Sequence, residues 1–281
     1  MIRANRFIAP NNAFIHPSVN IECDEFVIGQ NSYIGPNCNI TCKKFIAGDY
    51  LYFSSNVEVG RGGCTGPNSN VIIGNHVGVF EGVVLNPSEE ITIGDDVGIG
   101  TDCLIWTHGA WLDVMDGFPA DFGPVHIGSR VWLPARSIVL PNISIGDDCV
   151  ISTNSVIGKS IPNGSLAAGN PCRVIKEGYY PKHLSLEKKK SILINITTKW
   201  CDLLEHKNID SVDYVSVEDN CRIVIRQNTS ETIIDPLNKT IDGHVDDVIE
   251  DLRDFLRRNG IKIYTGKPFK SLRAQYQTLW S

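Results

Sequence analysis

The sequence predicts a mainly β protein, a parallel β-helix followed by a small C-terminal α+β appendage, and three observations carry that prediction. An aliphatic residue recurs at every sixth position through Ile127, Leu133, Val139, Ile145, Ile151 and Ile157. The residue four places after each is small or apolar: Val131, Ser137, Ile143, Cys149, Ser155 and Ile161. Near Arg173 this pattern stops, and apolar residues begin to recur at helical spacing.

A period of six belongs neither to an amphipathic helix, which repeats near 3.6, nor to a half-buried strand, which repeats at 2. It suits a chain that runs extended for a few residues and then turns a corner. Three such sides close one coil of about 18 residues, and stacked coils form a parallel β-helix. The aliphatic residue fills the interior, and the small fourth residue leaves room at the corner. Earlier segments share the register: Ile15 and Ile21; Ile28, Ile34, Ile40 and Ile46; Ile73, Val79, Leu85 and Ile91; Ile93, Ile99 and Ile105. The β-helix is therefore expected over residues 12–172. Glycine often follows the aliphatic residue (Gly29, Gly35, Gly74, Gly94, Gly128, Gly146, Gly158), as a corner that needs positive φ would favour.

One interruption separates Ile105 from Ile127. Its residues, "WTHGAWLDVMDGFPADFGPVH", are rich in Trp, Asp, Gly and Pro, and predict a loop extruded over 109–125. Loops on a rigid scaffold commonly carry binding groups. This one opens at His108, three residues after an inward aliphatic. His76 and His126 have no such loop after them and read as structural.

Beyond the hexads, "LSLEKKKSILINITTKWCDLLEHK" predicts a helix, and "VDYVSV", "CRIVIR" and "ETIID" predict short strands. "HVDDVIEDLRDFLRRNG" predicts a second helix with Ile249, Leu252 and Leu256 on one face and Gly260 as its C-terminal stop. "IKIY" predicts a last strand. The organisation is thus a β-helix domain over 1–176 and an appendage over 177–281. The appendage either caps the exposed strand edges at the end of the coil or docks a substrate or a membrane partner.

Composition excludes several functions. With 32 acidic against 26 basic residues, the chain lacks the basic balance of a dedicated nucleic-acid binder. No apolar run approaches the ~18 residues of a membrane span, and "MIRANRFIAP" has no signal-peptide core. Nine cysteines include no CxxC pair. Cys38, Cys103 and Cys149 fall on the fourth hexad position, where a thiol packs as a small hydrophobe. A reduced, cytoplasmic protein is the expectation.

Residues 73–176 resemble the hexapeptide-repeat acyltransferases, of the maltose/galactoside acetyltransferase type with its capsule and lipopolysaccharide O-acetyltransferase relatives. The motifs are "LIWTHGAW", "VWLPARSIVLPNISIGDDCVISTNSVIGKSIPNG" and "AAGNPCRVIKE". The resemblance implies a left-handed β-helix and a homotrimer with acetyl-CoA between neighbouring prisms. It implies that His108 is the general base for a sugar hydroxyl, a role suited to an imidazole, whose ordinary pKa is about 6.5. No acyl-enzyme and no metal are then needed. The amide of Ala135 would stabilise the oxyanion, and Trp132 would wall the acceptor site. Thr153 and Gly158 would line the pantetheine arm. Lys159, Arg173 and Lys176 would meet the phosphates and adenine side.

Trp132, one residue before an inward aliphatic, points outward. With Val131, also read as an outward apolar residue, it motivates the trimer. Trp111, Asp113 and Asp116, with Asp121 and Phe118, offer the carboxylates and aromatic faces that hold sugars, although Asp and Gly also form ordinary turns. Two departures from the family stand out. The usual Thr-Lys pair is Gly158-Lys159 here. The asparagine that aids sugar acetyltransferases aligns with Phe80, with Glu81 and Asn86 nearby.

The expected activity is acetyl-CoA-dependent O-acetylation of a sugar or polysaccharide hydroxyl. N-acetylation of a nucleotide-linked amino sugar is the enzymatic alternative, and a non-catalytic β-helix scaffold the structural one. A zinc-dependent β-helical carbonic anhydrase would need a His-x4-His pair, which the seven histidines do not contain.

Overall fold

The computed structural model describes residues 1–60, 62, 64, 66–209, 212–227 and 230–273. The chain divides into two compact units, Met1–Lys182 and His183–Ser281.

The first unit is a coil of parallel strands with three faces. One face is a nine-stranded sheet that runs from Phe14–Ile15 through Trp132–Leu133 to Leu166–Ala168. A twelve-stranded sheet wraps the other two. Asn39–Ala47 shows how: its first part pairs with Glu58–Val59 and its second with Asn70–Ile73. We call these the second and third faces. Each strand pairs with its counterpart one coil away, so hexad positions stack into ladders. Ile21, Ile40, Val59, Leu85, Ile105, Val139 and Ile157 form one such ladder in register. All seven are fully buried. Each contributes roughly 1.5–3 kcal/mol on leaving water, so the repeat is the core.

The corner positions behave differently from expectation in one respect. The glycines that follow the aliphatic residue do not adopt positive φ; that conformation belongs to the residue two places later, such as Asn31, His76, Asp96, Arg130 and Asp148. Asn and Asp tolerate it best. Glycine is needed for close stacking of coils. A Cβ on Gly94 would sit 2.8 Å from the backbone of Gly128 and Ser129. Along the same edge a file of side chains accepts main-chain N–H groups from the coil before: Asp49 from Gln30, Asn75 from Asp49, Asp95 from Asn75, Asp147 from Ser129 and Asn163 from Asp147.

Val131 is not outward: it is buried at the corner with the rest of the core, because the fourth hexad position turns inward. Cys38, Cys103 and Cys149 are buried there too. Burial pushes the Cys103 thiol up to about 11 and raises those of Cys38 and Cys149. The extruded segment returns earlier than expected, since Val125 already pairs with Ile91 in strand Val125–Ile127 and is fully buried. At the C-terminal end of the first face, Arg173–Lys176 folds back antiparallel onto Leu166–Ala168 and covers its edge. The N–H groups of Tyr179 and Tyr180 then donate to the Gly164 carbonyl.

The second unit packs α1 (Leu186–His206) and α2 (Asp247–Arg258) with a four-stranded antiparallel sheet. Its strands are Tyr214–Val217, Ile223–Gln227, Ser230–Asp235 and Thr240–Gly243, the last not anticipated from the sequence. Ser185 caps α1 through the Lys188 N–H, and Asp246 caps α2 through those of Val248 and Ile249. Ile249, Leu252 and Leu256 are fully buried against Trp200 and Ile225 in one cluster, and Gly260 has φ +85° just past the helix. Residues 261–264 form no strand. The buried Arg253 guanidinium donates to the Ile263 carbonyl at 3.2 Å, a group a strand would have offered to a neighbour.

Candidate functional site

The interruption after Ile105 is a β-hairpin rather than an irregular loop. His108–Ala110 pairs antiparallel with Ala120–Phe122, with His108 opposite Phe122. The Gly123 N–H donates to the Thr107 carbonyl at 3.0 Å and closes its base. Buried Thr107 ties that base to the coil beneath: its hydroxyl donates to the Asn86 carbonyl (2.7 Å) and accepts from the Glu89 N–H (2.9 Å). The histidine thus leaves a rigid edge between the second and third faces.

The His108 ring is half-buried, stacked on Phe122 at 5.7 Å between centroids and edge-on to Trp106 at 5.9 Å. Its Nδ1 lies 2.9 Å from Asn86 Oδ1 and 2.9 Å from Ser88 Oγ. Asn86 is fully buried, and its Nδ2 donates to the carbonyls of Gly60 (2.9 Å) and Gly62 (3.4 Å). With the amide nitrogen so engaged, Oδ1 is the atom that faces the imidazole, and it can only accept. Nδ1 therefore carries the proton, and the lone pair is on Nε2. This network assigns the tautomer that a base needs.

Asn86 and Ser88 as partners of His108 were not evident from the sequence. Asn86 follows inward Leu85 and lies beside Trp106 across the strand pair, a proximity set by an irregular coil rather than by hexad arithmetic. The position aligned with the family asparagine, Phe80, is half-exposed and meets Trp132 edge-on at 6.5 Å. Glu81 accepts from Asn56 Nδ2. Of the two histidines read as structural, His126 bonds Thr92 Oγ1 through Nδ1 at 2.7 Å, and His76 sits at a corner with φ +62°.

Trp132 is exposed, and its ring lies over Gly98, where a Cβ would come within 2.6 Å of the indole. Phe14, Tyr33, Tyr52 and Phe80 continue the aromatic file down the first face. At the hairpin tip the Asp113 carboxylate accepts from the Met115 N–H at 2.8 Å and starts the short turn Val114–Asp116, which Gly117 ends. Trp111 is 96% exposed. The carboxylate of Asp113 thus has a turn-forming task.

The remaining predicted residues fall on two edges of the coil. Ala135 and Thr153 sit one coil apart on the edge between the first and second faces, where the Asn154 N–H donates to the Ala135 carbonyl at 3.0 Å. Arg173 pairs with Ala168 at the end of that edge, and Lys176 with Leu166 farther back. Gly158 and Lys159 lie on the other edge, with His108: they follow strand Val156–Ile157, which stacks through Ile138–Val139 onto Leu104–Trp106. Thr153, Gly158, Lys159, Arg173 and Lys176 are all exposed. Lys176 and Lys182 also lie over the Tyr179 ring, at 4.6 and 3.8 Å. Within one chain, then, the structure groups His108 with Gly158 and Lys159, and Ala135 with Thr153 and Arg173, on opposite margins of the second face. No group of three or more His, Cys, Asp or Glu among the described residues is arranged to hold a metal ion. No helix among them is long and apolar enough to cross a membrane.

Part of the chain is similar to known proteins. Residues 124–159 match the bacterial transferase hexapeptide (six repeats) family, so the first unit contains a hexapeptide-repeat segment of the transferase type. Over 111 residues the chain is 32% identical to the galactoside O-acetyltransferase of Escherichia coli (strain K12), which covers 39% of this chain and 55% of that one. Over 55 residues it is 49% identical to a Staphylococcus aureus (strain COL) protein named as an acetyltransferase, covering 20% and 28%. The chain thus spans from about a quarter to just over half the length of these relatives. Among solved structures, the maltose O-acetyltransferase of Clostridium difficile 630 is 28% identical with a TM-score of 0.34, covering 57% of this chain and 70% of that one.

Proposed function

We propose that this protein is an acetyl-CoA-dependent O-acetyltransferase that acts on a sugar or polysaccharide hydroxyl, built on a left-handed coil and working as a homotrimer. One observation carries the reading: His108 stands at the root of the hairpin with Nδ1 engaged by Asn86, which leaves Nε2 free to take a proton.

A sugar hydroxyl is a weak nucleophile. In this reading its O–H donates to His108 Nε2, and the proton moves there as the oxygen attacks the acetyl carbonyl carbon. Asn86 Oδ1, bonded to Nδ1–H, stabilises the imidazolium that results. The negative charge that develops on the carbonyl oxygen meets the Ala135 N–H. As the intermediate collapses, the C–S bond breaks and the proton passes from Nε2 to the departing sulfur. No thiol of the protein is used in this transfer.

The trimer explains why the proposed residues lie on two edges. His108, Gly158 and Lys159 of one protomer would face Ala135, Thr153 and Arg173 of the next, a heterologous contact that closes with cyclic symmetry. Exposed Trp132, beside the Ala135 edge, would border the acceptor, and Trp111, Asp113 and Asp116 would reach it from the hairpin. Lys159, Arg173 and Lys176 are exposed cations suited to phosphate groups.

Isothermal titration of the full chain with acetyl-CoA tests the reading. Saturable binding with one site per protomer is expected, and absence of binding at millimolar concentration would overturn it. Acetyl transfer to a panel of sugars then separates the acceptor classes. A product that resists mild alkali would be an amide and would replace O-acetylation by N-acetylation.

A further inference from the structure

The edge that bears His108 also holds, nearer the N-terminus, a cavity of about 540 Å³ lined by Arg3, Cys23, Thr41, Cys42, Lys43 and Cys64 among others, with Cys42 three coils and Cys23 four coils from His108. The activity proposed above uses none of these residues. Cys23 and Cys42 are register partners in the parallel strands Asn20–Val27 and Asn39–Ala47, and their Sγ atoms lie 3.8 Å apart. Neighbouring strands run about 4.8 Å apart, within the Cα–Cα range of about 4.4–6.8 Å that a disulfide accepts. Closing the sulfurs to bonding distance takes side-chain rotation and a small approach of the two strands, since a disulfide holds its Cβ atoms about 3.5–4.5 Å apart.

Access distinguishes this pair from the thiols of the core. Cys23 and Cys42 are 8% and 5% exposed, and both line the cavity, whereas Cys103 and Cys149 are wholly enclosed. The two sulfurs are also unequal. Hydrogen bonding from the Cys42 side chain holds the Cys23 thiol below its ordinary range, against the opposing effect of burial. That same bond, with burial, pushes the Cys42 thiol up. Cys23, the more exposed of the two, is the thiol an oxidant meets first, and the cavity around it carries mixed charge from Arg3, Lys43, Glu22 and Asp24.

We infer that Cys23 and Cys42 are a peroxide-oxidisable dithiol that closes to a disulfide within the folded protein. The oxidant is a hydroperoxide small enough for the cavity. Cys23 thiolate attacks its terminal oxygen: the S–O bond forms, the O–O bond breaks, and the departing oxygen takes a proton to become water or an alcohol. Cys42 then attacks Cys23 Sγ: the S–S bond forms, the S–O bond breaks, and hydroxide leaves as water with the Cys42 proton. Two thiols lose two electrons, and one hydroperoxide gains them. A dithiol reductant reverses the change.

Native full-length protein treated with hydrogen peroxide, then alkylated and mapped by mass spectrometry, tests this. The expected result is a Cys23–Cys42 linked peptide, loss of two alkylatable thiols with Cys103 and Cys149 unchanged, and full recovery with dithiothreitol. In Cys42→Ser, Cys23 should proceed to sulfinic acid, which dithiothreitol does not reverse. The wild-type map requires no variant and decides by itself. If half-buried Cys201 is oxidised while Cys23 and Cys42 remain thiols, or if either pairs with a different cysteine, the inference is wrong.

Discussion

Replacing Asn86 by Ala perturbs the candidate base without touching it. The side chain accepts from His108 Nδ1 at 2.9 Å and donates to the Gly60 carbonyl at 2.9 Å. In the Ala variant Ser88 Oγ, also 2.9 Å from Nδ1, is the partner that remains, and a hydroxyl donates as readily as it accepts. The tautomer with Nε2 free then loses its preference. A net hydrogen bond is worth about 1 kcal/mol, which corresponds to roughly a fivefold shift in population. With some loss of ring orientation, kcat should fall about five- to tenfold, well short of the ~10²–10⁴ expected for deleting a general base. Stability should suffer more visibly, because a buried carbonyl left without a donor costs about 1–3 kcal/mol. The assay is release of coenzyme A thiol under saturating substrates, with urea unfolding followed by circular dichroism. Ser88→Ala should give a smaller loss alone, and the double variant a loss greater than the product of the two, since both hold one atom. An unchanged kcat in Asn86→Ala would refute the tautomer argument.

The other predictions follow from the coil and its edges. Gly94→Ala, whose Cβ would press on the next coil's backbone, should destabilise the first unit by about 1–3 kcal/mol, whereas Gly158→Ala, facing only the flexible Leu140 side chain at 3.4 Å, should cost little or stabilise slightly; paired urea titrations compare them. Arg130 donates to both oxygens of Asp148 and holds its carboxyl below the ordinary range. That stabilisation is present above the unfolded carboxyl pKa and is lost as pH falls through the lower folded value, so Asp148→Asn should remove up to ~1 kcal/mol at neutral pH and nothing once the carboxyl is protonated in both states. Arg173→Ala and Lys159→Ala should raise KM for acetyl-CoA with little change in kcat, the signature of lost uniform binding; an unchanged KM would mark both as solvated charges.

The hexad ladder was legible where the period is strict, because a coil with three flat faces repeats one environment every six residues, and Ile105, Val139 and Ile157 land in it. Where the period slips it was not, so Val59 was missed and Ile46 was read as inward although Phe45 and Ala47 take the inward places. The hairpin was legible as an interruption, although its regular pairing was not, since "WLDVMDGFPAD" has no strand alternation. What escaped depends on contacts between coils. Glycine after the aliphatic residue looks like a φ requirement in one dimension, yet Gly94 is needed because Ser129 passes over it. Val131 looks like a neighbour of outward Trp132 until the corner turns it inward. Asn86 reaches His108 because its strand pairs with Leu104–Trp106 in a register set between coils, Asn86 opposite Trp106. Strand Thr240–Gly243 was missed because its residues alternate weakly, and residues 261–264 were overread because Arg253 claims the Ile263 carbonyl.

His108 is the proposed base. The direct measurement is kcat for acetyl transfer by His108→Ala, made beside a titration of acetyl-CoA binding. The account predicts that kcat falls by about 10²–10⁴ while the dissociation constant for acetyl-CoA stays within a few-fold of the wild-type value. A variant that keeps most of its kcat would contradict it.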